Sequence, residues 1–198
     1  GVMKWAKCVE LSRNIEWRQG FESLAEHKLS FDAWIYHTQL NELNELAHTY
    51  PENQIILDHM ATPIGVMGPF AGFGHTKKDR DLILKQWQEG IALVAENKNV
   101  IVKLSGMFMP ILGWDLHQIT NKPSTTEIVD KLQPLIEFTL KQFGVDRCMF
   151  ASNFPMDKVS LSYQQLYDVY KEIVQAYSID EQNMLFAENA KRAYKMPA

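Results

Sequence analysis

Histidine is the side chain whose proton moves near neutral pH, so the six histidines of this sequence are the first candidates for chemistry. Two of them end short apolar runs: Phe31-Asp-Ala-Trp-Ile-Tyr-His37 and Ile55-Ile-Leu-Asp-His59. A neutral imidazole there can polarise a carbonyl or ligate a metal. Two more runs of the same kind end in other polar groups. Val100-Ile-Val-Lys-Leu-Ser-Gly106 carries Lys103 and Ser105, which alternation puts on one side of a strand as candidate substrate-binding groups. Cys148-Met-Phe-Ala-Ser-Asn-Phe-Pro155 carries Asn153, whose amide can orient a water or hydroxyl, and Asp157 follows as a candidate base. His59, His37, Asn153 and Asp157 are thus the catalytic candidates. Each has a plainer alternative: a structural hydrogen bond for the histidines, a helix-start carboxylate for Asp157, a solvated ammonium for Lys103. Asp58 alternates with His59, so it is expected on the opposite side of the strand and outside the catalytic set.

These groups need strands to deliver them, and the apolar runs predict four, at about 31–37, 54–59, 100–104 and 147–152. Helical spacing separates them. Phe21, Leu24 and Ala25 mark a helix over 17–28, Leu40, Leu43, Leu46 and Ala47 one over 39–50, and Leu82 to Val94 one over 79–97. Ser124-x-x-Glu127 has capping-box spacing and opens a helix that Pro134 is expected to kink or divide before Phe143. Ser162-x-x-Gln165 and Ser178-x-x-Glu181 open two more. The stretches 60–78 and 105–123 hold too many Gly and Pro residues for either element and read as long loops. Residues 1–16 carry no clear period and read as a connecting arm of one domain spanning 1–198. The βαβαβαβα order predicts an α/β fold, a parallel sheet with helices outside it and its chemistry at the carboxyl ends of the strands.

Composition narrows the function classes. A net charge of −4 without a basic cluster argues against nucleic acid as a partner. No apolar run approaches the roughly 20 residues of a membrane span. Cys8 and Cys148 fit no metal-ligand spacing and are expected to be reduced thiols, and the amino end lacks a signal core, so a cytoplasmic location is expected.

Taken together, Asp-Ala-Trp-Ile-Tyr-His-x-Gln-Leu at 32–40, Leu-Asp-His-Met-x-Thr-Pro-Ile-Gly at 57–65, Val-Lys-Leu-Ser-Gly at 102–106 and Arg-Cys-Met-Phe-Ala-Ser-Asn-Phe-Pro-x-Asp-Lys at 147–158 resemble the carboxyl half of the amidohydrolase 2 family. Those proteins are TIM-barrel, metal-dependent hydrolases related to sugar-lactone and pyrone-dicarboxylate lactonases. The resemblance runs from about residue 17 to 195. It implies that the four strands are the fifth to eighth of a (β/α)8 barrel, and that the chain hydrolyses a lactone or related cyclic ester or amide of small size. The family's first-strand His-x-His is absent here, and Asn153 stands where many relatives carry Asp. The chain alone therefore implies no metal, whereas a zinc or manganese ion is implied if the missing half is present. The alternative is a catalytically inactive half-barrel kept as a structural or assembly subunit. A bare half-barrel would expose the sheet face bearing Ile35, Leu57, Val102 and Phe150 or their neighbours, so a homo-oligomer or a second chain supplying the missing half is expected.

Overall fold

The four apolar runs form one parallel sheet in the computed structural model, which describes residues 14–196. Its strands are β1 (Ser30–Ala33), β2 (Gln54–Leu57), β3 (Val100–Leu104) and β4 (Cys148–Phe150), hydrogen-bonded in that order. The register aligns Ala33 with Leu57, Leu57 with Val102 and Val102 with Cys148. Three strands stop short of their expected ends. Single 3-10 turns begin at His37 and Asp58, and Asn153 has a left-handed φ of 53°, so the polar residues sit on turns rather than in the ladder.

Among the described residues seven helices connect and flank the strands: α1 (Ile15–Glu26), α2 (Leu40–Thr49), α3 (Lys77–Ala95), α4 (Thr125–Phe143), α5 (Tyr163–Ile173), α6 (Ile179–Asn183) and α7 (Asn189–Ala193). A π-helical turn over Met184–Glu188 joins α6 to α7. Ser124 and Ser178 form reciprocal capping boxes with Glu127 and Glu181. Ser162 accepts from the Gln165 amide, but the Gln165 side chain turns to the Pro123 carbonyl instead. Pro134 does not divide α4. The carbonyl it leaves without an N–H is that of exposed Asp130, which water can satisfy, while Leu132, Leu135 and Ile136 beside it are buried and hold the helix to the core.

Alternation sorts the sheet into two apolar faces. Ile55, Leu57, Val100, Val102, Leu104, Cys148 and Phe150 pack into the main core with Trp87, Ile91, Ile136 and Val169 from the helices. The opposite face bears Ile56, Ile101 and Met149, and the expectation that a face would lie open is corrected here. Ala190 and Ala193 pack over that face and leave all three residues buried. Side chains pin this cover in place: Gln54 donates to the Ala193 carbonyl at 2.9 Å, and Asn189 donates to the carbonyls of Val145 and Cys148, each at 2.7 Å. Leu57, Val102 and Phe150 lie on the other, helix-covered face and Ile35 is half-buried. Cys148 is a buried, unpaired thiol, while Cys8 and nearly all of the expected arm fall outside the described residues. No helix among the described residues is long and apolar enough to cross a membrane.

Candidate active site

Because the strands are parallel, everything that follows their carboxyl ends gathers at one edge of the sheet. The turn after β2 is the most constrained part of that edge. His59, Met60, Ala61 and Thr62 all have positive φ, at 56°, 49°, 57° and 32°. Left-handed backbone costs an L-residue roughly 1–2 kcal/mol each, so such a run persists only where its surroundings over-determine it. Here they do. Trp87 Nε1 donates to the Met60 carbonyl at 2.7 Å, Thr62 N to the His59 carbonyl at 2.9 Å, and Ile64 N to His37 Nδ1 at 3.3 Å.

That turn delivers the His59 ring to Ser105, with 2.8 Å between Nδ1 and Oγ. Ser105 ends β3's extended run and is fully buried. Gly106 makes the contact sterically feasible: a Cβ there would lie 2.5 Å from His59 Cγ, and its φ of +66° is itself left-handed. Burial lowers the His59 pKa, with the Asp58 carboxylate pulling it up and Lys103 pulling it down, so the ring is neutral near pH 7.

Lys103 does not join that pair. Its ammonium forms ion pairs with Asp32 and with Asp58, the latter at 2.8 Å, and it lies over the Tyr194 ring. Tyr194 OH donates in turn to Asp32 Oδ1 at 2.7 Å. Burial alone would lower the lysine's pKa, but the two carboxylates hold it raised and charged. Asp58 therefore belongs to a polar cluster on the sheet's second face, above Ile101 and Met149. The alternation argument placed Asp58 and His59 apart for a reason that does not apply, since β2 ends at Leu57 and His59 is already in the turn.

His37 is likewise elsewhere. Its ring is 4% exposed, accepts from Ile64 N, makes a backbone hydrogen bond with Thr62 and meets Phe73 edge-on at 6.0 Å. Burial pushes its pKa down to about 4, against the pull of the Thr62 bond, so it is a neutral ring that braces the His59 turn.

Asn153 and Asp157 are brought together. Asn153 Nδ2 donates to Asp157 Oδ1 at 2.9 Å, and Asp157 N donates back to the Asn153 carbonyl at 3.2 Å. With its NH2 committed, the Asn153 amide keeps its oxygen as an acceptor. Asp157 is 0% exposed, and its Oδ2 is buried without a partner. Burial pushes its pKa up to about 7, against the Asn153 hydrogen bond and the Phe108 amide. It touches Asn153 and has no surface open to solvent.

The two long loops are laced over this edge. Gly65 N donates to the Ile111 carbonyl at 3.0 Å and Met67 N to that of Leu112 at 2.8 Å. Phe108 is buried and stacked with Trp114, and Phe73 packs on His37, so these loop aromatics serve packing. Among the described residues, no three His, Cys, Asp or Glu side chains come together to hold a metal ion. With one nitrogen of His59 engaged by Ser105, Nδ1 of His37 engaged by the Ile64 amide, and no third donor beside them, the described residues do not fit a metal centre on their own. Three contributors carry no mark in the sequence as site residues: Trp87, Gly106, and Trp34, whose exposed indole meets His59 edge-on at 6.2 Å. The one trace of Trp34 is its place as an aromatic at the carboxyl end of an apolar run.

Comparison with known proteins agrees with this architecture. The uncharacterised protein y4mH of Sinorhizobium fredii is 35% identical over 196 residues, covering 99% of this chain and 57% of y4mH. An L-fucono-1,5-lactonase of Burkholderia multivorans is 22% identical over 198 residues, covering 99% of this chain and 59% of that protein. The chain thus spans less than two thirds of either relative. The crystal structure of an amidohydrolase from Burkholderia multivorans with bound zinc superposes with a TM-score of 0.78 at 19% identity, covering 94% of this chain and 59% of that one, which shows a shared fold. A family model described as Amidohydrolase (Amidohydro_2) matches residues 5–196, and with nearly the whole chain matched, this protein belongs to the amidohydrolase family.

Proposed function

We propose that the four strands form the carboxyl-terminal half of a (β/α)8 barrel, and that its carboxyl edge hydrolyses a small cyclic ester, a lactone first, or a related cyclic amide. The observation that carries this reading is the His59–Ser105 pair, a neutral imidazole fixed at 2.8 Å on a strained turn where a parallel sheet keeps its chemistry. A Ser105 hydroxyl donating to Nδ1 places the ring proton on Nε2, the tautomer that donates to a carbonyl oxygen as charge develops on it. Asn153 Oδ1 orients the attacking water. The water oxygen bonds to the carbonyl carbon, the ring C–O bond breaks, and the water's proton ends on the departing alkoxide to give a hydroxy acid. Lys103 with Asp32 and Asp58 forms the charged floor beside these groups, while His37 and Asp157 position the turn and the amide. The lactonase relative supports the choice of a lactone. A zinc or manganese ion at this edge would take donors from outside the described residues.

A second reading, an inactive half-barrel serving assembly with a copy of itself or with a chain that supplies the other strands, is favoured by one observation: an amide stands at Asn153 and the nearby carboxyl of Asp157 has no surface open to solvent. Hydrolysis of an aldono-1,5-lactone, followed by acid release, separates the two. Acceleration over buffer that falls by about 10²-fold or more in His59→Gln supports the hydrolase. No acceleration by the wild-type protein leaves the inactive reading, and a fully active His59→Gln variant removes His59 from the chemistry.

A further inference from the structure

Trp34 is the only tryptophan among the described residues with more than half of its surface exposed, at 58%. An exposed indole is a large apolar area left in water, which ordinary folding does not require. Nor is it loose. Its Nε1 donates to Thr62 Oγ1 at 3.2 Å, within the strained turn that carries His59, and Thr62 is itself fully buried. The indole meets His59 at 6.2 Å and 74° and Tyr36 at 6.3 Å and 66°, edge contacts that leave ring surface uncovered. Trp34 also lines a cavity of about 380 Å³ whose walls mix apolar Phe31, Ala33 and Leu43 with polar Asp32 and Gln39, within the size range of small-molecule sites, while its link to His59 is the ring contact. With its polar tip satisfied, the surface this side chain offers is its π-face, beside the imidazole.

We infer that Trp34 is a substrate-binding, specificity-determining residue: its indole is the platform on which the substrate's ring lies, selecting six-membered cyclic esters over open-chain ones. This rests on the lactone reading above. A compact ring presents a flat C–H or conjugated face that stacks on the indole while its carbonyl reaches His59, whereas a flexible open-chain ester loses more freedom on adopting that shape.

The test uses an aldono-1,5-lactam, which keeps the ring and carbonyl but resists hydrolysis, with the open-chain amide of the same acid as control. Binding to the full-length protein is followed by the indole N–H resonance of Trp34, assigned by its loss in Trp34→Phe, and by calorimetry in wild type, Trp34→Phe and Trp34→Ala. The expected result is a Trp34 resonance that shifts on titration, lactam binding weakened roughly threefold to tenfold in Trp34→Ala and less than about twofold in Trp34→Phe, and amide binding unchanged. Trp34→Phe keeps a ring and loses the Thr62 bond, so equal weakening in both variants would mean that the hydrogen bond matters and the platform does not. That result, an unmoved resonance, or no lactam binding by wild type overturns the inference. Trp34-dependent lactam binding without lactone hydrolysis would sink the hydrolase reading and leave the platform standing.

Discussion

Replacing Asp157 by Asn should make the protein's stability less sensitive to pH in one direction only. In the fold this carboxyl is fully buried, one oxygen accepts from Asn153 and the other has no partner, while the groups around it are an amide, the Phe108 backbone and the Tyr170 phenol. Its pKa of about 7, raised from 3.8 mainly by burial, means that the folded state favours the protonated acid. The stability contributed by that proton is fully present below pH 3.8 and is lost as pH rises through about 7. A shift of three units corresponds to about 4 kcal/mol in all, of which about 2–3 kcal/mol falls between pH 5 and 8.5. Asparagine has the same shape and does not titrate. Its NH2 at the Oδ2 position lacks a partner and costs about 1–3 kcal/mol at every pH, an offset that cancels in a pH comparison. Urea unfolding of both proteins at pH 5, 6, 7 and 8.5 gives the difference directly: relative to wild type, Asp157→Asn should gain about 2–3 kcal/mol over that range. A difference that stays flat would show that Asp157 is solvated in the fold. A difference that moves against the variant would show a carboxylate stabilised as an anion, and the assignment of Asp157 as a neutral positioning group would be wrong.

Other perturbations test the remaining parts of the site. Gly106→Ala places a methyl 2.5 Å from the His59 ring at a left-handed φ, so thermal stability should fall by about 1–3 kcal/mol and hydrolysis with it; an unchanged melting temperature would refute the close packing. Lys103→Met leaves Asp32 and Asp58 without their shared cation and should cost about 1–3 kcal/mol in urea unfolding, with Asp58→Asn in the same chain recovering part of the loss; additive losses would deny the coupling. Because the His59 pKa is lowered, lactone hydrolysis should stay on its plateau as pH drops through 6.5, and a fall centred at the ordinary histidine value would contradict a buried ring.

The sheet was legible because its signal is redundant. Each of Phe31–Ala33, Ile55–Leu57, Val100–Leu104 and Cys148–Phe150 is a short β-type apolar run, and amphipathic sequence follows each, which leaves a parallel sheet as the economical arrangement. The strand ends were less legible, because an extended chain and a left-handed turn can be written in the same residues. Nothing in Asp58-His-Met-Ala-Thr62 signals four positive φ values, since none of the five is glycine. The turn is imposed from elsewhere in the sequence, by Trp87 on α3 and His37 after β1. Alternation kept Asp58 apart from His59, as the structure does, but it also grouped Lys103 with Ser105, whereas Lys103 takes its partners from β1, the β2 end and the residue after α7. Pro134 misled in the opposite way: local chemistry argued for a break, and buried neighbours outweighed it.

How the sheet's second face is buried bears on what the chain can join. Closing a barrel would fill that face with side chains from other strands; here the small residues Ala190 and Ala193 allow a helix to lie directly on Ile56, Ile101 and Met149, and Tyr194 continues over Asp32 and Lys103. The face is therefore apolar under α7 and polar toward the carboxyl edge, where Lys103 and its two carboxylates lie. The outer edges of β1 and β4 are the unpaired ends of the described ladder, and β1 borders the cavity walled by Trp34. Backbone donors and acceptors there are satisfied by water or by another strand, so any partner that extends the sheet next to β1 also shapes the cavity that Trp34 lines. On the proposed reading of Trp34, a strand added at β1 would therefore change lactam binding as well as the sheet edge.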